Sequence, residues 1–241
     1  MTLACDLHLH SCLSPCGDND MTPANIAGMA SLKGLGIAAL TDHNTSKNCP
    51  AFFRACERLG ILPIAGMEMT TAEDIHVIAL FPDLASALDF DRYVDTRRVR
   101  IKNRPEIFGE QRIMDEDDNI VGEEGDLLIN ALSMDLEEAA GKARSYGALV
   151  YPAHIDKDAN GILATLGFIP EEPVFSCYEF HDRKNAEPYR EKYRLGNAKF
   201  VFSSDAHYLW DIAEGEDAMR VECPETGSAD EKRRTVLEAF L

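Results

Sequence analysis

Residues 5–10 read Cys5-Asp6-Leu7-His8-Leu9-His10, and the fold turns on what this segment is. Residues 3–9 are apolar enough to predict a strand. In a strand, residues i and i+2 share a face, so His8 and His10 aim two imidazoles at one point, as two ligands of one metal ion require. Two surface histidines on an edge strand would show the same spacing. The rest of the chain decides between them.

Downstream, residues 11–21 form a loop rich in Cys, Pro, Gly, Asn and Asp. Thr22-Pro23 supplies an N-cap and a proline at the first helical position. The helix carries Ile26, Met29, Ala30 and Leu32 at helical spacing and stops at Gly34 and Gly36. Ile37-Ala38-Ala39-Leu40 is a continuous apolar run, the mark of a parallel strand buried on both faces. It leads into Thr41-Asp42-His43-Asn44. A second helix is expected over about 47–59 and a strand over 61–65, ending at Gly66-Met67-Glu68. This β-α-β-α-β order within the first 68 residues predicts a parallel sheet with crossover helices.

Residues 70–81 read as a hairpin-like pair with 75–81 as its second strand, and 84–96 as a helix. From 97 to 133 the alternation fails: a basic cluster (Arg97, Arg98, Arg100, Lys102, Arg104) precedes an acidic, glycine-containing stretch. The segment is too long for an ordinary loop and reads as an insertion or irregular subdomain within one domain spanning 1–241. The alternation resumes with a helix capped by Asp135, with Glu138 at the capping-box position. A strand at 148–151 runs into Pro152-Ala153-His154. A short helix at 162–166, a strand at 174–180, a helical stretch at 185–194 and a strand at 199–202 follow, the last running into Ser203-Ser204-Asp205-Ala206-His207. A short strand at 218–223 and a helix opened by Ser228-x-x-Glu231 complete the chain.

The net charge of −18 repels phosphate backbones and anionic membranes, so nucleic acid is not an expected partner. No apolar run approaches the ~18 residues that span a membrane, and Met1-Thr2-Leu3 enters the first strand without a signal-type segment. The expected location is cytoplasmic, with no membrane association. Seven cysteines at irregular spacing argue against a disulfide framework. Cys12, Cys16 and Cys49 lie near the candidate metal segments. Plain reduced thiols are the reading favoured for them, and thiolate ligation is the alternative.

Metal-capable residues gather where strands end: His8 and His10, Asp42 and His43, Glu68, His154, and Asp205 with His207. In parallel α/β folds and barrels such ends converge on one site. Six of the seven histidines lie at these ends or, as His76, on the hairpin. In order along the chain, His8-x-His10, Thr41-Asp42-His43, Gly66-x-Glu68, His76, Pro152-Ala153-His154 and Ser204-Asp205-Ala206-His207 resemble the motifs of the PHP family, named for polymerase and histidinol phosphatase.

That resemblance implies an α/β fold, a distorted (β/α)7 TIM-like barrel with an inserted segment, holding two or three divalent ions (Zn, Mn or Fe). It implies His8, His10, Glu68 and Asp205 around one ion, and a bridging Glu68 with His76 and His154 around a second. A third would lie between His43, His207 and an acid of the lengthened loop, Asp18 or alternatively Asp20. Asp42 is expected to orient a ligand histidine rather than to bind metal. His8, His10, Glu68, Asp205 and His207 are the expected catalytic set, and His181 is expected to be exposed or satisfied within the core. Arg183 and Lys184, or Arg97 and Arg98, are candidate phosphate contacts, since arginine matches phosphate oxygens.

The expected activity is hydrolysis of a phosphate monoester of a small metabolite or nucleotide through a metal-activated water. Alternatives are a nuclease acting on nucleic acid ends, an amidohydrolase-type barrel, and a non-catalytic metal-binding domain. The oligomeric state is not readable.

Overall fold

The sheet grows from β1 (Thr2–Leu9) in a computed structural model that describes residues 1–241. The apolar run after the first helix forms β2 (Ile37–Leu40), and β3 (Leu62–Thr70) lies beyond it, both junctions parallel. The crossovers are α1 (Pro23–Leu32) and α2 (Cys49–Arg58). Thr22 caps α1, its hydroxyl accepting the Asn25 amide at 3.3 Å. β3 runs well past the 61–65 expected, because β4 (His76–Phe81) folds back on it antiparallel, with Glu68 opposite Ile78 and Thr70 opposite His76. Glu68 is therefore held inside a paired strand instead of beyond its end.

After α3 (Leu84–Asp95), residues 97–133 hold the short helix α4 (Pro105–Phe108) and a hairpin of β5 (Arg112–Met114) and β6 (Ile120–Glu123). The acidic stretch is the hairpin's turn: the Asp115 carboxylate accepts the amides of Asp117 at 3.0 Å and Asn119 at 2.8 Å. The segment is fastened to the barrel. Asn44 Nδ2 donates to the Leu128 and Asn130 carbonyls at 2.7 and 3.0 Å, and Asn48 Oδ1 accepts the Met114 amide at 2.9 Å.

Helix α5 (Leu136–Ser145) leads to β7 (Leu149–Pro152), antiparallel to β4. Then come α6 (Ile162–Leu166), β8 (Cys177–Glu179), α7 (Ala186–Lys192), β9 (Lys199–Val201), β10 (Met219–Glu222) and α8 (Ala229–Glu238). The main sheet has the order β10-β1-β2-β3-β4-β7, and β8 and β9 form a parallel pair. The result is an α/β fold with a strongly curled half-barrel sheet, the distorted barrel expected. The gap between β7 and β1 is bridged at one end by Ile155 N→Glu179 O at 2.9 Å, Phe180 N→Val201 O at 3.0 Å and His10 N→Ala206 O at 3.0 Å.

The interior is filled by alternate residues of the strands: Cys5 and Leu7, Ile37 and Ala39, Ile64, Ile78 and Leu80, Leu149 and Tyr151. Val236, Leu237 and Phe240 near the C-terminus pack against the same cluster. The residues between them, such as Ala38, Leu40, Ala65, Met67, Val77 and Ala79, join the second core under the outer helices. Continuing each interior row places His43, Glu68 and His76 inside. β1 breaks this rule. Cys5 and Leu7 face the interior, and so do His8 and His10, while Leu9 belongs to the outer core. The pairing with β2 shifts register between Asp6 and Leu9, and the unpaired Leu7 amide donates instead to Ser203 Oγ at 3.2 Å. This bulge adds one residue to the strand and turns the histidine pair inward.

Candidate metal centre

Six imidazoles and two carboxylates meet at the bridged end of the barrel. Glu68 is the hub and is 1% exposed. Its Oε1 lies 2.8 Å from His76 Nδ1, 3.2 Å from His154 Nε2 and 3.4 Å from His8 Nε2. Its Oε2 lies 3.1 Å from His43 Nδ1 and 3.2 Å from His10 Nε2. Asp205 Oδ1 is 3.3 Å from both His8 Nε2 and His10 Nε2, which are 3.1 Å from each other. Two of the candidate ligands sit on strained backbone: His154 at φ +28° and Asp205 at φ +53°, conformations that cost a non-glycine residue about 1–2 kcal/mol.

The donor set fits divalent ions. Buried His43 Nδ1, His76 Nδ1 and Asp205 Oδ1 lack any hydrogen-bond partner despite the short distances around them. Each is a metal-capable atom that lies close to other donors without the geometry of a hydrogen bond. Three overlapping groups offer ligand atoms within 4.8 Å: His8, His10, Glu68 and Asp205; His43, Glu68 and His76; and His10, His43 and His207. Together they form a buried cluster suited to a multinuclear metal site.

Electrostatics prepare these donors. Burial pushes the His43 imidazole well below its usual range, and burial with the nearby His10 brings His207 down to about 4, so both present free lone pairs at neutral pH. Burial also opposes charge on Glu68 and Asp205, but the surrounding imidazoles overcome it and hold both carboxyls well below the usual range. Against the same penalty, Glu179, Asp205 and Glu68 raise His8 strongly, and hydrogen bonding to Asp205 and Glu68 brings His10 up to about 9.

The other faces of the imidazoles are fixed. His8 Nδ1 donates to Glu179 Oε1 at 2.9 Å, and the same oxygen accepts the His154 amide at 3.1 Å. His10 Nδ1 donates to Ser14 Oγ at 3.0 Å, and Ser14 in turn donates to Asp42 Oδ1 at 2.7 Å. Asp42 thus reaches a ligand only through Ser14, and its other oxygen accepts the Ser11 hydroxyl at 2.7 Å. His207 Nδ1 donates to the Asp205 carbonyl at 2.9 Å. Such partners set ring tautomer and orientation, and losing one costs ~10–100-fold in metal affinity. Glu179→Gln is expected to weaken metal binding by about that factor, read by titration of the metal-free protein. Unchanged affinity would refute the role.

Several expected residues lie elsewhere. Asp18 Oδ1 accepts the Asp20 amide at 2.9 Å, closing a turn within the loop, and Asp20 is exposed. Neither carboxylate joins the cluster, because the loop turns back on itself. Arg183 stacks on Phe202 at 4.4 Å and donates to the Asp217 carbonyl, and Lys184 is exposed. Arg97 pairs with Glu138, and Arg98 is buried against Asp95 and Glu124. None of these four cations lines the cavity over the cluster. That cavity, about 420 Å³, has Lys157, Cys16, Asn160 and Ile129 on its walls with the metal-capable residues. Lys157 Nζ is 2.5 Å from Asp205 Oδ2. His181 is exposed, its amide held by Asp156 at 2.7 Å.

Glu179, Ser14 and Lys157 were not singled out from the sequence. Glu179 carried the one usable signal, a carboxylate ending an apolar strand.

The sequence profile of the PHP domain matches residues 6–167. No curated protein matches. Among solved structures, the lesion-specific endonuclease EndoQ of Pyrococcus furiosus superposes over 99% of this chain and 56% of its own, with a TM-score of 0.66 and 20% identity. Endonuclease Q in complex with a 27-mer duplex bearing an abasic lesion matches at 0.63 and 18% identity over 99% of this chain and 57% of its own. A Bifidobacterium adolescentis protein assigned as a metal-dependent phosphoesterase matches at 0.58 and 17% identity over 98% and 96%. The chain spans little more than half the length of the two endonucleases, and at these identities the likeness is one of fold.

Proposed function

The chain belongs to the PHP domain family, and from that premise we propose that it is a metal-dependent phosphoesterase that hydrolyses a phosphate monoester of a small metabolite or nucleotide. The observation that carries the substrate reading is the cavity. At about 420 Å³, with the histidine cluster as its floor and Lys157 as a cation on its wall, it is the size of a small-molecule site. The net charge of −18 disfavours a long polyanion.

His8, His10, Glu68 and Asp205 would hold one ion, and Glu68 with His43, His76 and His154 a second. Zn, Mn or Fe(II) suit these nitrogen and oxygen donors. Bound ions supply an acidified water and positive charge for the phosphoryl oxygens. The protein's own residues do the rest. Glu179 and Ser14 keep Nδ1 of His8 and His10 protonated, leaving Nε2 of each ring facing the centre. Lys157 donates to Asp205 and, from the cavity wall, to a phosphate oxygen.

A charge-assisted hydrogen bond of this kind is worth about 1.5–3 kcal/mol, so Lys157→Met is expected to lower kcat/KM about 10–100-fold, mainly through KM. Lys157→Arg should recover part of the loss. Unchanged kinetics in the Met variant would remove Lys157 from substrate binding.

A nuclease is the second reading, favoured by the fold likeness to the EndoQ enzymes. The deciding assay sets mononucleotides and sugar phosphates against labelled oligonucleotides, using metal-loaded protein. Release of phosphate from the small monoesters supports the first reading, and cleavage of oligonucleotides alone overturns it.

A further inference from the structure

We infer that Ile129 is a specificity-determining residue of the site, a fixed apolar wall that limits the bulk of the alcohol carried by the phosphate monoester. This deepens the phosphoesterase reading and rests on it. With the phosphoryl group on the histidine cluster at the floor of the cavity, the alcohol lies against the walls. Lys157 and Asn160 are the polar side chains there, and Ile129 and Ala159 the aliphatic ones. Among residues 97–133, Ile129 alone lines the cavity. It is half-buried, so part of its side chain is free to meet a ligand.

A wall discriminates by size only if it does not yield, and this one is braced on both sides. Ile129 lies between the two carbonyls, of Leu128 and Asn130, that Asn44 Nδ2 holds at 2.7 and 3.0 Å. Asn44 is itself buried, and its Oδ1 accepts the Thr70 amide at 3.0 Å. Asn44 directly follows His43, and Thr70 lies two residues beyond Glu68 on β3. The wall is therefore tied to the segments that carry two of the candidate ligands. Gln111 Oε1 accepts the Leu128 amide at 2.8 Å, and the Thr70 carbonyl accepts the Leu132 amide at 2.9 Å. The isoleucine side chain is stiff at χ1 and makes no hydrogen bond, so it selects by shape. Shortening it makes room for a bulkier alcohol, and enlarging it takes room away.

The test titrates the full, metal-loaded chain with methylphosphonate, phenylphosphonate and naphthylphosphonate by isothermal calorimetry, since these bind without turning over. In Ile129→Ala the ratio of naphthyl to phenyl affinity is expected to rise about 10-fold, and in Ile129→Phe to fall. Methylphosphonate carries too little bulk to meet the wall and should bind wild type and both variants alike. Ile120→Ala, a change at an exposed position of the β5–β6 hairpin, should match wild type throughout. An unchanged naphthyl-to-phenyl ratio in both Ile129 variants overturns the inference. So does an equal loss of all three ligands, which marks a structural role. Phosphate release from phenyl and naphthyl phosphate is followed with the same proteins. Release by wild type with unmoved ratios leaves the phosphoesterase reading standing and removes the wall. Shifted ratios with no release from either ester leave the wall standing and count against that reading. Wild-type protein that binds none of the three phosphonates refutes both.

Discussion

Glu68→Gln is expected to reduce kcat/KM by about 10³-fold, given several kcal/mol of metal-derived transition-state stabilisation at a factor of ten per ~1.4 kcal/mol. No other side chain meets five imidazoles. The amide keeps the shape but removes the charge that draws two of the overlapping donor groups toward shared ions, so metal stoichiometry should fall together with rate. The variant also leaves His76 and His43 without their anionic neighbour. Steady-state kinetics with elemental analysis of the purified protein checks both effects. A Gln variant with full metal and near wild-type turnover would show that Glu68 is not the hub of the chemistry.

Metal loading should be almost as conspicuous in stability. Free metal at about 1,000 times its dissociation constant stabilises the folded state by about 4 kcal/mol. At ~2–4 °C per kcal/mol for a chain of this size, the melting temperature should rise by about 8–16 °C. The sign of its pH dependence follows from the imidazoles. His10, raised to about 9, and His8, also raised, bind protons that a metal must displace. Acidification favours the proton, so the gain should shrink as pH falls from about 8 to about 6. Differential scanning calorimetry with and without metal at several pH values measures it. A melting temperature that ignores both metal and chelator would argue against a folded-state metal centre.

Much of this architecture was legible because most site residues lie near the ends of apolar strands. The row Ile37, Ala39, Thr41 and His43 is a strand continued, whereas His154 breaks the alternation of Leu149, Tyr151 and Ala153 and sits at φ +28°. What escaped was set by contacts between distant segments. β8 is three residues long, too short for periodicity to mark Glu179 as anything more than an acid near His181. Lys157 gains meaning only because Asp205 arrives beside it from 48 residues away. The arginine cluster at 97–104 was conspicuous as charge. Arg98 is nonetheless sequestered by Asp95 and Glu124, because the basic and acidic halves of the 97–133 segment fold onto each other.

The strand bulge at Leu7 has a consequence for how such chains diverge. The two histidines are in phase with the centre only because the strand is out of phase with itself, carrying one residue more than its neighbour's pleat. The same residues on a regular, unbulged strand would leave every ligand in the gene and point two of them at the outer helices, whereas deleting one residue there would restore the pleat and keep both inward. Presence of the motif and competence of the site are therefore separable, and the difference lies in a backbone irregularity that a ligand-by-ligand comparison does not record.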